Sequence, residues 1–455
     1  MEQPDPSVSS RLRRLRSSAL VGHGGVAFFL ATGLASASNF GFHLLMSRLL
    51  GPATYGALGS LIGLSTAVTL AAAAFGAAVT QQAVASAEGH VLVRAGRTMR
   101  RTAAVATAAL AALAALAPVV DGFLHLSSAV PALLFGGYVA LVVVTQVPQG
   151  LLIAALRFRV VAVSQAGGAL VRLGAGALFV HLGWGLDGAM AALVANAAVS
   201  LAVLLWPQWR LARTGGHAGT TTLRIRARHA TLAVLALCGT SAFTAVDSFL
   251  ARHYLAASAS GYYAAGATAA RIALFLPASI GMLAFPHLAA EGGRGAHARR
   301  VLGEATAAVA VLGTAAAVVL VAAPHLVVDV LFGSGYAPAA PVLRVLALPA
   351  AAVGVVTVWV YGLLARRSSW ALVTWAGIAA LCAGITVVHA STLAVAWVVL
   401  FVTAGLLVAG GVLVVGPPGS RRRRVPAGPA GDGPVRPAGV HTGEPIVSPT
   451  PAGSP

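Results

Sequence analysis

The sequence predicts an all-α membrane protein of about twelve transmembrane helices. Of its 455 residues, 58% are apolar and only 9% are charged, and the mean hydropathy is +0.86. Soluble domains carry about 25% charged residues, so most of this chain favours hydrocarbon over water. The apolar residues form uninterrupted runs of roughly 20 or more, the length that a helix needs to cross a bilayer. A transmembrane β-barrel would instead show short strands of alternating residues.

Twelve apolar segments can be drawn as spans. Many are rich in alanine and glycine, which let helix backbones approach closely in lipid. The basic residues before the first segment resemble the start of a signal peptide, but the apolar run continues to Leu50 and favours a retained first span. The segments lie near residues 19–46, 54–84, 102–122, 129–154, 160–181, 187–206, 230–251, 260–287, 303–324, 341–364, 370–389 and 393–415.

The arginines test this map independently. The formal net charge of +19 comes from arginine, since the chain contains no lysine. A basic chain can indicate nucleic-acid binding, but 25 of the 30 basic residues fall in alternate connections between the segments. Cytoplasmic connections carry such an excess, so we expect both termini in the cytoplasm and no nucleic-acid partner. Of the other five, Arg48 and Arg252 fall in outward connections, and Arg172, Arg271 and Arg344 lie inside segments.

The map divides the chain into five parts. We expect a basic cytoplasmic arm at 1–18, a six-helix lobe at 19–209, a basic cytoplasmic linker at 210–229, a second six-helix lobe at 230–415, and a cytoplasmic tail at 416–455. The tail holds 10 proline and 8 glycine residues and is predicted to be disordered. The basic cytoplasmic segments are expected to contact anionic lipids. The largest outward connection, around 324–338, has room only for a short loop.

The two lobes appear as a weak internal repeat. Leu50-Gly51-Pro52-Ala53-Thr54-Tyr55-Gly56 follows the first segment, and Leu255-Ala256-Ala257-Ser258-Ala259-Ser260-Gly261-Tyr262 follows the seventh. Both stretches hold the same place in a six-helix half. Parallel repeats about an axis along the membrane normal are typical of transporters that bind their cargo between the halves.

Several of these stretches resemble a known family. The run NFGFHLLMSRLLGPATYGA at 39–57 is similar to the first-helix signature of polysaccharide exporters, the O-antigen and teichoic-acid flippase branch of the multidrug/oligosaccharidyl-lipid/polysaccharide (MOP) exporter superfamily. The second half of the chain resembles the family's seventh to tenth helices. That resemblance rests on Asp247-Ser248-Phe249, Gly261-Tyr262-Tyr263-Ala264-Ala265, Arg271, Phe285-Pro286, Phe332-Gly333-Ser334-Gly335-Tyr336 and Pro341-Val342-Leu343.

The resemblance implies two pseudo-symmetric six-helix lobes of the MOP/MATE-like kind around a cavity that opens alternately to each side. It implies a cargo of glycan linked to undecaprenyl pyrophosphate, moved from the cytoplasmic to the outer leaflet, and a monomeric protein. The alanine- and arginine-rich composition is typical of a GC-rich bacterial genome, so we expect a bacterial plasma-membrane protein. No pair of histidines has metal-ligand spacing within a helix, and we expect neither a metal nor another cofactor.

Intramembrane charges are the first candidates for function, because a charge at mid-membrane costs about 2.5–3.5 kcal/mol on insertion scales. Arg172 and Arg271 each lie well inside a segment, and Gln165, Gly168 and Arg172 share one helix face at i, i+3 and i+7. Guanidinium groups suit pyrophosphate because they donate paired hydrogen bonds and stay charged. We therefore predict that Arg172 and Arg271 hold the pyrophosphate, with Arg48 receiving it near the outer mouth.

These arginines have a purely structural alternative, in which each pairs with a carboxylate or a carbonyl and only orders helices. Arg48 and Arg344 also lie where an arginine commonly extends its head group to the interface. Polar side chains in or near the spans have two interpretations as well, interhelical hydrogen bonds worth about 0.6 kcal/mol each or contacts to sugar hydroxyls. They are Asn39, Gln81, Gln82, Gln146, Gln149 and Asn196.

Asp247 is the one acidic residue well within a segment. Burial raises the pKa of a carboxyl group toward neutrality, so Asp247 could be a proton-coupling group. It could also be the counter-ion of Arg271 or Arg252, which we favour.

Three functions follow in order of preference. A lipid-linked oligosaccharide flippase fits the excess of intramembrane arginine over acid. A cation-coupled multidrug exporter of the same superfamily would need buried carboxylates for its cationic cargo. A membrane glycan polymerase or ligase would need acidic or basic side chains in a large outward loop, which the map lacks, so we expect a protein that is not an enzyme.

Overall fold

The computed structural model describes residues 23–85, 96–126, 128–213, 227–273, 295–366 and 368–415. These residues form helices joined by short turns, with no strand among them. The predicted all-α membrane class is therefore confirmed. In chain order the α-helices are α1 (His23–Ala85), α2 (Gly96–Ala115), α3 (Ala117–Leu124), α4 (Val130–Ala154), α5 (Phe158–Phe179), α6 (Gly185–Arg213), α7 (Ala227–Tyr254), α8 (Ala257–Ala270), α9 (Ala296–Ala322), α10 (Pro324–Phe332), α11 (Ala340–Ala365), α12 (Val373–Val387) and α13 (Thr392–Val415).

The number of membrane crossings is only partly fixed by these helices. Within the described ranges, 7 helices are long and apolar enough to cross a bilayer, or 8 if the bent pair Thr102–Ala115 and Ala117–Leu124 forms one span. One of the seven is the 50-residue stretch Phe158–Pro207, which covers two of the predicted segments. Helix α1 has 63 residues, about 95 Å at 1.5 Å per residue, roughly three times the hydrocarbon thickness. The count of twelve stays a prediction.

Two boundaries between predicted segments fall inside continuous helical stretches, and each is marked by a break in the helical backbone. Gly51 has a φ of 70° inside α1, a value that glycine adopts without steric cost, and Pro52 cannot donate to the preceding turn. The kink that Gly51-Pro52 predicts is present, and it divides α1 into an N-terminal half (23–50) and a C-terminal half (52–85). Between α5 and α6 a π-helical turn contains Gly183, and Gly185 follows it, each with positive φ.

Small residues let the C-terminal half of α1 pack closely on α7 and α8. A Cβ atom added to Gly56 would lie 2.6 Å from Ser260 Oγ, and one added to Gly59 would lie 3.0 Å from Ala264 Cβ. In return, a Cβ on Gly261 would overlap the carbonyl oxygen of Pro52. We call this contact, made by Gly56, Gly59 and Gly261, the glycine seam. It joins the two stretches that the sequence identifies as repeats.

The predicted short loop at 324–338 is instead largely helical. It forms α10 and a 3-10 helix, Ser334–Ala339. Phe332 and Tyr336 are buried there beside Tyr55, and the Tyr336 hydroxyl donates to the Ser47 carbonyl over 2.8 Å. This packing could not be predicted from local sequence, because its partners in α1 lie almost 300 residues away.

Several predictions lie outside the described residues. They concern the arm at 1–18, the tail at 416–455, Phe285-Pro286 and the end of the segment at 260–287. The predicted linker is described only at its ends, where α6 continues to Arg213 and α7 begins at Ala227.

Candidate functional site

A cavity of about 240 Å³ lies among α1, α4, α5 and α6. We call it the polar cavity, because ten of the fourteen described residues that line it carry a polar side chain and none of the fourteen is acidic. It therefore suits a ligand rich in hydrogen-bonding groups that is neutral or negatively charged. The polar residues are Thr69, Tyr138, Thr145, Gln146, Gln149, Ser164, Gln165, Arg172, Asn196 and Ser200, and the apolar ones are Ala35, Val142, Ala169 and Ala197.

Among the described residues that line the polar cavity, Arg172 alone is charged. The residue is only 8% exposed. Nη1 donates to Asn39 Oδ1 over 2.9 Å, and Cζ lies 5.3 Å from the ring centroid of Phe42. Nε is buried and has no hydrogen-bond partner within the described ranges. An unsatisfied buried donor costs about 1–3 kcal/mol, so this guanidinium is arranged to gain from an incoming acceptor.

The helix face predicted from residue spacing does border the cavity. Gln165 and Arg172 both line it. Gly168 lies between them along α5, where a Cβ would overlap Asn196 Oδ1 and Ser200 Oγ. The absence of a side chain at Gly168 thus lets α6 approach α5.

Two serines hold α5 and α6 together at this approach. Ser164 Oγ donates to the Ser200 carbonyl over 3.0 Å, and Ser200 Oγ donates to the Ser164 carbonyl over 3.2 Å. Neither serine was a sequence candidate, although Ser200 lies four residues after Asn196 and therefore on the same face of α6.

Arg271 lies outside the polar cavity, at the end of α8. Nη2 donates to the Thr244 carbonyl over 2.7 Å and to Ser248 Oγ over 3.3 Å, and it lies 3.9 Å from Asp247 Oδ1. Arg271, Thr244 and Asp247 border a second cavity of only about 40 Å³. The two arginines predicted to share a pyrophosphate thus line separate cavities in this conformation.

Asp247 has close partners other than arginine. Oδ2 accepts a hydrogen bond from the Tyr263 hydroxyl over 2.9 Å, and Oδ1 accepts one from the Ser248 backbone N–H over 2.7 Å. The 3.9 Å to Arg271 is an ion-pair distance beyond hydrogen-bond length. The carboxylate is held by neutral donors, and the arginine is held mainly by a carbonyl.

A polar link that the sequence did not reveal runs between the two arginines. His43 Nδ1 and the Tyr55 hydroxyl are hydrogen-bonded at 3.1 Å, and Tyr55 donates to Thr268 Oγ1 over 3.4 Å. The link joins α1 to α8. The sequence pattern that could have indicated it is the i, i+4 spacing of Asn39 and His43, which places both on one helix face.

The two remaining arginines of interest have structural partners. Arg48 is exposed, and its Nη2 donates to the Val330 carbonyl over 2.7 Å. Arg252 was placed in an outward connection, but it lies buried in the last turn of α7. It donates to the carbonyls of Leu124, His125 and Ala53 over 2.9, 3.1 and 3.2 Å. The charge of Arg252 is therefore compensated by backbone carbonyls rather than by Asp247.

Comparisons with known proteins agree with this architecture. A family model described as "Polysaccharide biosynthesis protein" matches residues 45–341, more than half of the chain. A sequence search of curated proteins gives no match.

Solved structures of two transporter groups are similar to the chain. An inward-facing multidrug resistance MATE family transporter of the MOP superfamily has a TM-score of 0.63 at 15% identity, covering 83% of this chain and 92% of that one. The lipid II flippase MurJ, in an inward closed conformation, has a TM-score of 0.66 at 10% identity, covering 86% and 87%. A MOP superfamily transporter from Pyrococcus furiosus has a TM-score of 0.54 at 13% identity, covering 87% and 96%. At such identities the similarity shows the fold.

Proposed function

Because the chain belongs to the polysaccharide biosynthesis protein family and has the MOP-superfamily fold, we propose that it is a flippase for lipid-linked oligosaccharide. Its cargo would be a glycan on undecaprenyl pyrophosphate, moved across the bacterial plasma membrane by alternating access. The observation that carries the proposal is the buried Arg172, which borders a polar cavity whose described lining contains no acid.

Arg172 suits a phosphate-bearing cargo. Its Nη1 is held by Asn39, a neutral acceptor, so the positive charge is not cancelled by a partner. Its buried Nε has no acceptor among the described residues. A phosphate oxygen entering the cavity would form a charge-assisted hydrogen bond with the guanidinium that borders it, which is stronger than a neutral one. A rotation of the side chain would bring Nε to the same ligand.

Arg271 would act as the second phosphate ligand when the two lobes rearrange. It is 27% exposed at the side chain, and its ion pair with Asp247 is long. A phosphate could therefore replace the carboxylate without breaking a short hydrogen bond. Arg48, exposed near α10, would meet the head group at the outer mouth.

The glycine seam supports a direction of opening. In the predicted topology both termini are cytoplasmic, and Pro52 lies in the first outward connection, so the seam lies toward the outer side. Gln149, in the last two turns of α4, lies toward the cytoplasmic side and borders the polar cavity. The described conformation would then be packed on the outside and ready to take cargo from the cytoplasmic leaflet.

Transport by the purified protein in proteoliposomes tests this function. Vesicles would carry undecaprenyl-pyrophosphate-linked N-acetylglucosamine, and a galactosyltransferase added outside would report how much sugar reaches the outer leaflet. We expect faster labelling with the protein than with protein-free vesicles. Labelling at the protein-free rate, together with efflux of ethidium from the same vesicles, would support the multidrug exporter instead.

A further inference from the structure

Resting on the proposed function, we propose that the amide-rich part of the polar cavity is a sugar subsite. Arg172 would hold the phosphate, and the amides would bind the uncharged sugar attached to it. The four carboxamides that border the cavity are Gln146, Gln149, Gln165 and Asn196.

The chemistry of these side chains matches sugar hydroxyls. A carboxamide offers two N–H donors and a carbonyl acceptor, and a sugar hydroxyl is both donor and acceptor. The Ser164 and Ser200 hydroxyls each donate to a backbone carbonyl, so they offer a ligand only acceptor lone pairs. Gln146 Nε2 donates to the Val142 carbonyl over 3.5 Å. With two N–H donors on each side chain, the carboxamides are still the richest source of neutral donors in the described lining.

The arrangement along α5 separates the sugar site from the charge. Gln165 and Arg172 lie on one face, seven residues apart, which is about 10 Å along a helix. Between them Gly168 has no side chain, and Asn196 of α6 fills the space beside it. A ligand lying along this face would meet amides at one end and the guanidinium at the other.

The same layout argues against a cationic ligand. Of the described lining residues none is acidic, and Arg172 would repel a positive charge. An array of amides without a guanidinium or ammonium group is also a poor site for a second phosphate, since its hydrogen bonds are not charge-assisted on the protein side. A neutral sugar attached to a phosphate is the ligand that contacts both ends of the cavity.

Lipid affinities measured with the purified protein in nanodiscs can distinguish binding at the amide end of the cavity from binding at Arg172. The probes are undecaprenyl pyrophosphate without sugar and the same lipid bearing one glucose, galactose or N-acetylglucosamine. We expect at least one sugar-bearing lipid to bind more tightly than the bare lipid. The variant Gln149→Met/Asn196→Leu should lose about tenfold in affinity for that lipid, as expected for two neutral hydrogen bonds, with the bare lipid unchanged.

Val142→Met is the matched control. Val142 lines the same cavity seven residues before Gln149, so the substitution adds the same side chain to that face without removing an amide. We expect it to keep the preference for the sugar-bearing lipid. A similar loss in Val142→Met would assign the effect to cavity shape and overturn the sugar subsite.

The remaining outcomes are also decisive. Equal binding of all four lipids by the wild-type protein, or equal weakening of the bare lipid by the double variant, would overturn the inference and leave the flippase proposal standing. Binding of none of the four would instead count against the flippase proposal. Size-exclusion profiles and thermal midpoints equal to wild type would confirm that each variant is folded.

Discussion

Arg172 and Asn39 are joined by a hydrogen bond of 2.9 Å, so an amide rather than an acid holds the buried guanidinium. The pairing orients the arginine while leaving its charge available. The Phe42 ring beside it adds a cation–π contact. Because the charge is oriented but not neutralised, the pair should be sensitive to any change that adds a carboxylate.

Asn39→Asp tests whether the uncancelled charge matters. The new carboxylate would lie within hydrogen-bond reach of Arg172 and compete with phosphate for it. We expect a loss of at least about tenfold in affinity for undecaprenyl pyrophosphate, the order of a charge-assisted hydrogen bond, with thermal stability equal to or above wild type. Unchanged lipid affinity in this variant would show that Arg172 does not contact the phosphate.

Arg172→Ala and Arg271→Ala should each abolish transport of the lipid-linked sugar while leaving protein levels intact. Arg172→Lys keeps a positive charge but loses the planar set of donors, so it should recover only part of the activity. The matched control is Arg344→Ala, which removes an exposed arginine of α11 that borders neither cavity. Full transport by the Arg172→Ala/Arg271→Ala protein would remove both residues from the cargo site.

Asp247→Asn distinguishes a counter-ion from a proton-coupling group. Asparagine can accept from the Ser248 N–H through Oδ1 and donate from Nδ2 to the Tyr263 hydroxyl oxygen, so the local fold should persist. If Asp247 only balances Arg271, the variant should transport with the same pH dependence as the wild type. If Asp247 couples protons, proton movement measured with a pH dye inside the vesicles should disappear. Asp329→Asn, at an exposed position on α10, is the control and should leave both readouts unchanged.

The sequence predicted the all-helical class and the shared face of Gln165 and Arg172, because both depend on local properties. Apolar runs and alternating charge specify spans, and seven-residue spacing placed Gln165 and Arg172 on one face. It could not predict which faces meet. The partner of Arg172 lies 133 residues away in the sequence, and no local period encodes such a contact.

The same limit explains the residues that were missed or misplaced. Arg252 follows an apolar run and resembles a helix-end arginine, yet it is buried against carbonyls more than 120 residues away. Its role depends on the fold, which brings the end of α3 and the kink of α1 next to the last turn of α7. His43 likewise gains its importance only from Tyr55 and Thr268, which α1 and α8 bring to it.

Gly261→Ala tests the glycine seam. A methyl group there would overlap the Pro52 carbonyl, which is backbone and cannot rotate away. We expect a destabilisation of about 1–3 kcal/mol, as for overpacking a close contact, seen as a lower thermal midpoint. If the seam closes the outer side, the variant should also favour the opposite conformation. A Ser260→Cys reporter, at a position that is 2% exposed beside Gly56, should then react faster with a membrane-impermeant maleimide applied outside.

Gly137→Ala is the control for this experiment, since a Cβ at Gly137 in α4 meets nothing within 4 Å. It should keep both the wild-type midpoint and the wild-type labelling rate. A lower midpoint in Gly261→Ala without faster labelling would mean that the seam contributes packing but does not gate. Because the two repeats touch at Pro52 and Gly261, an unchanged midpoint would contradict the close approach itself and the closed outer side inferred from it.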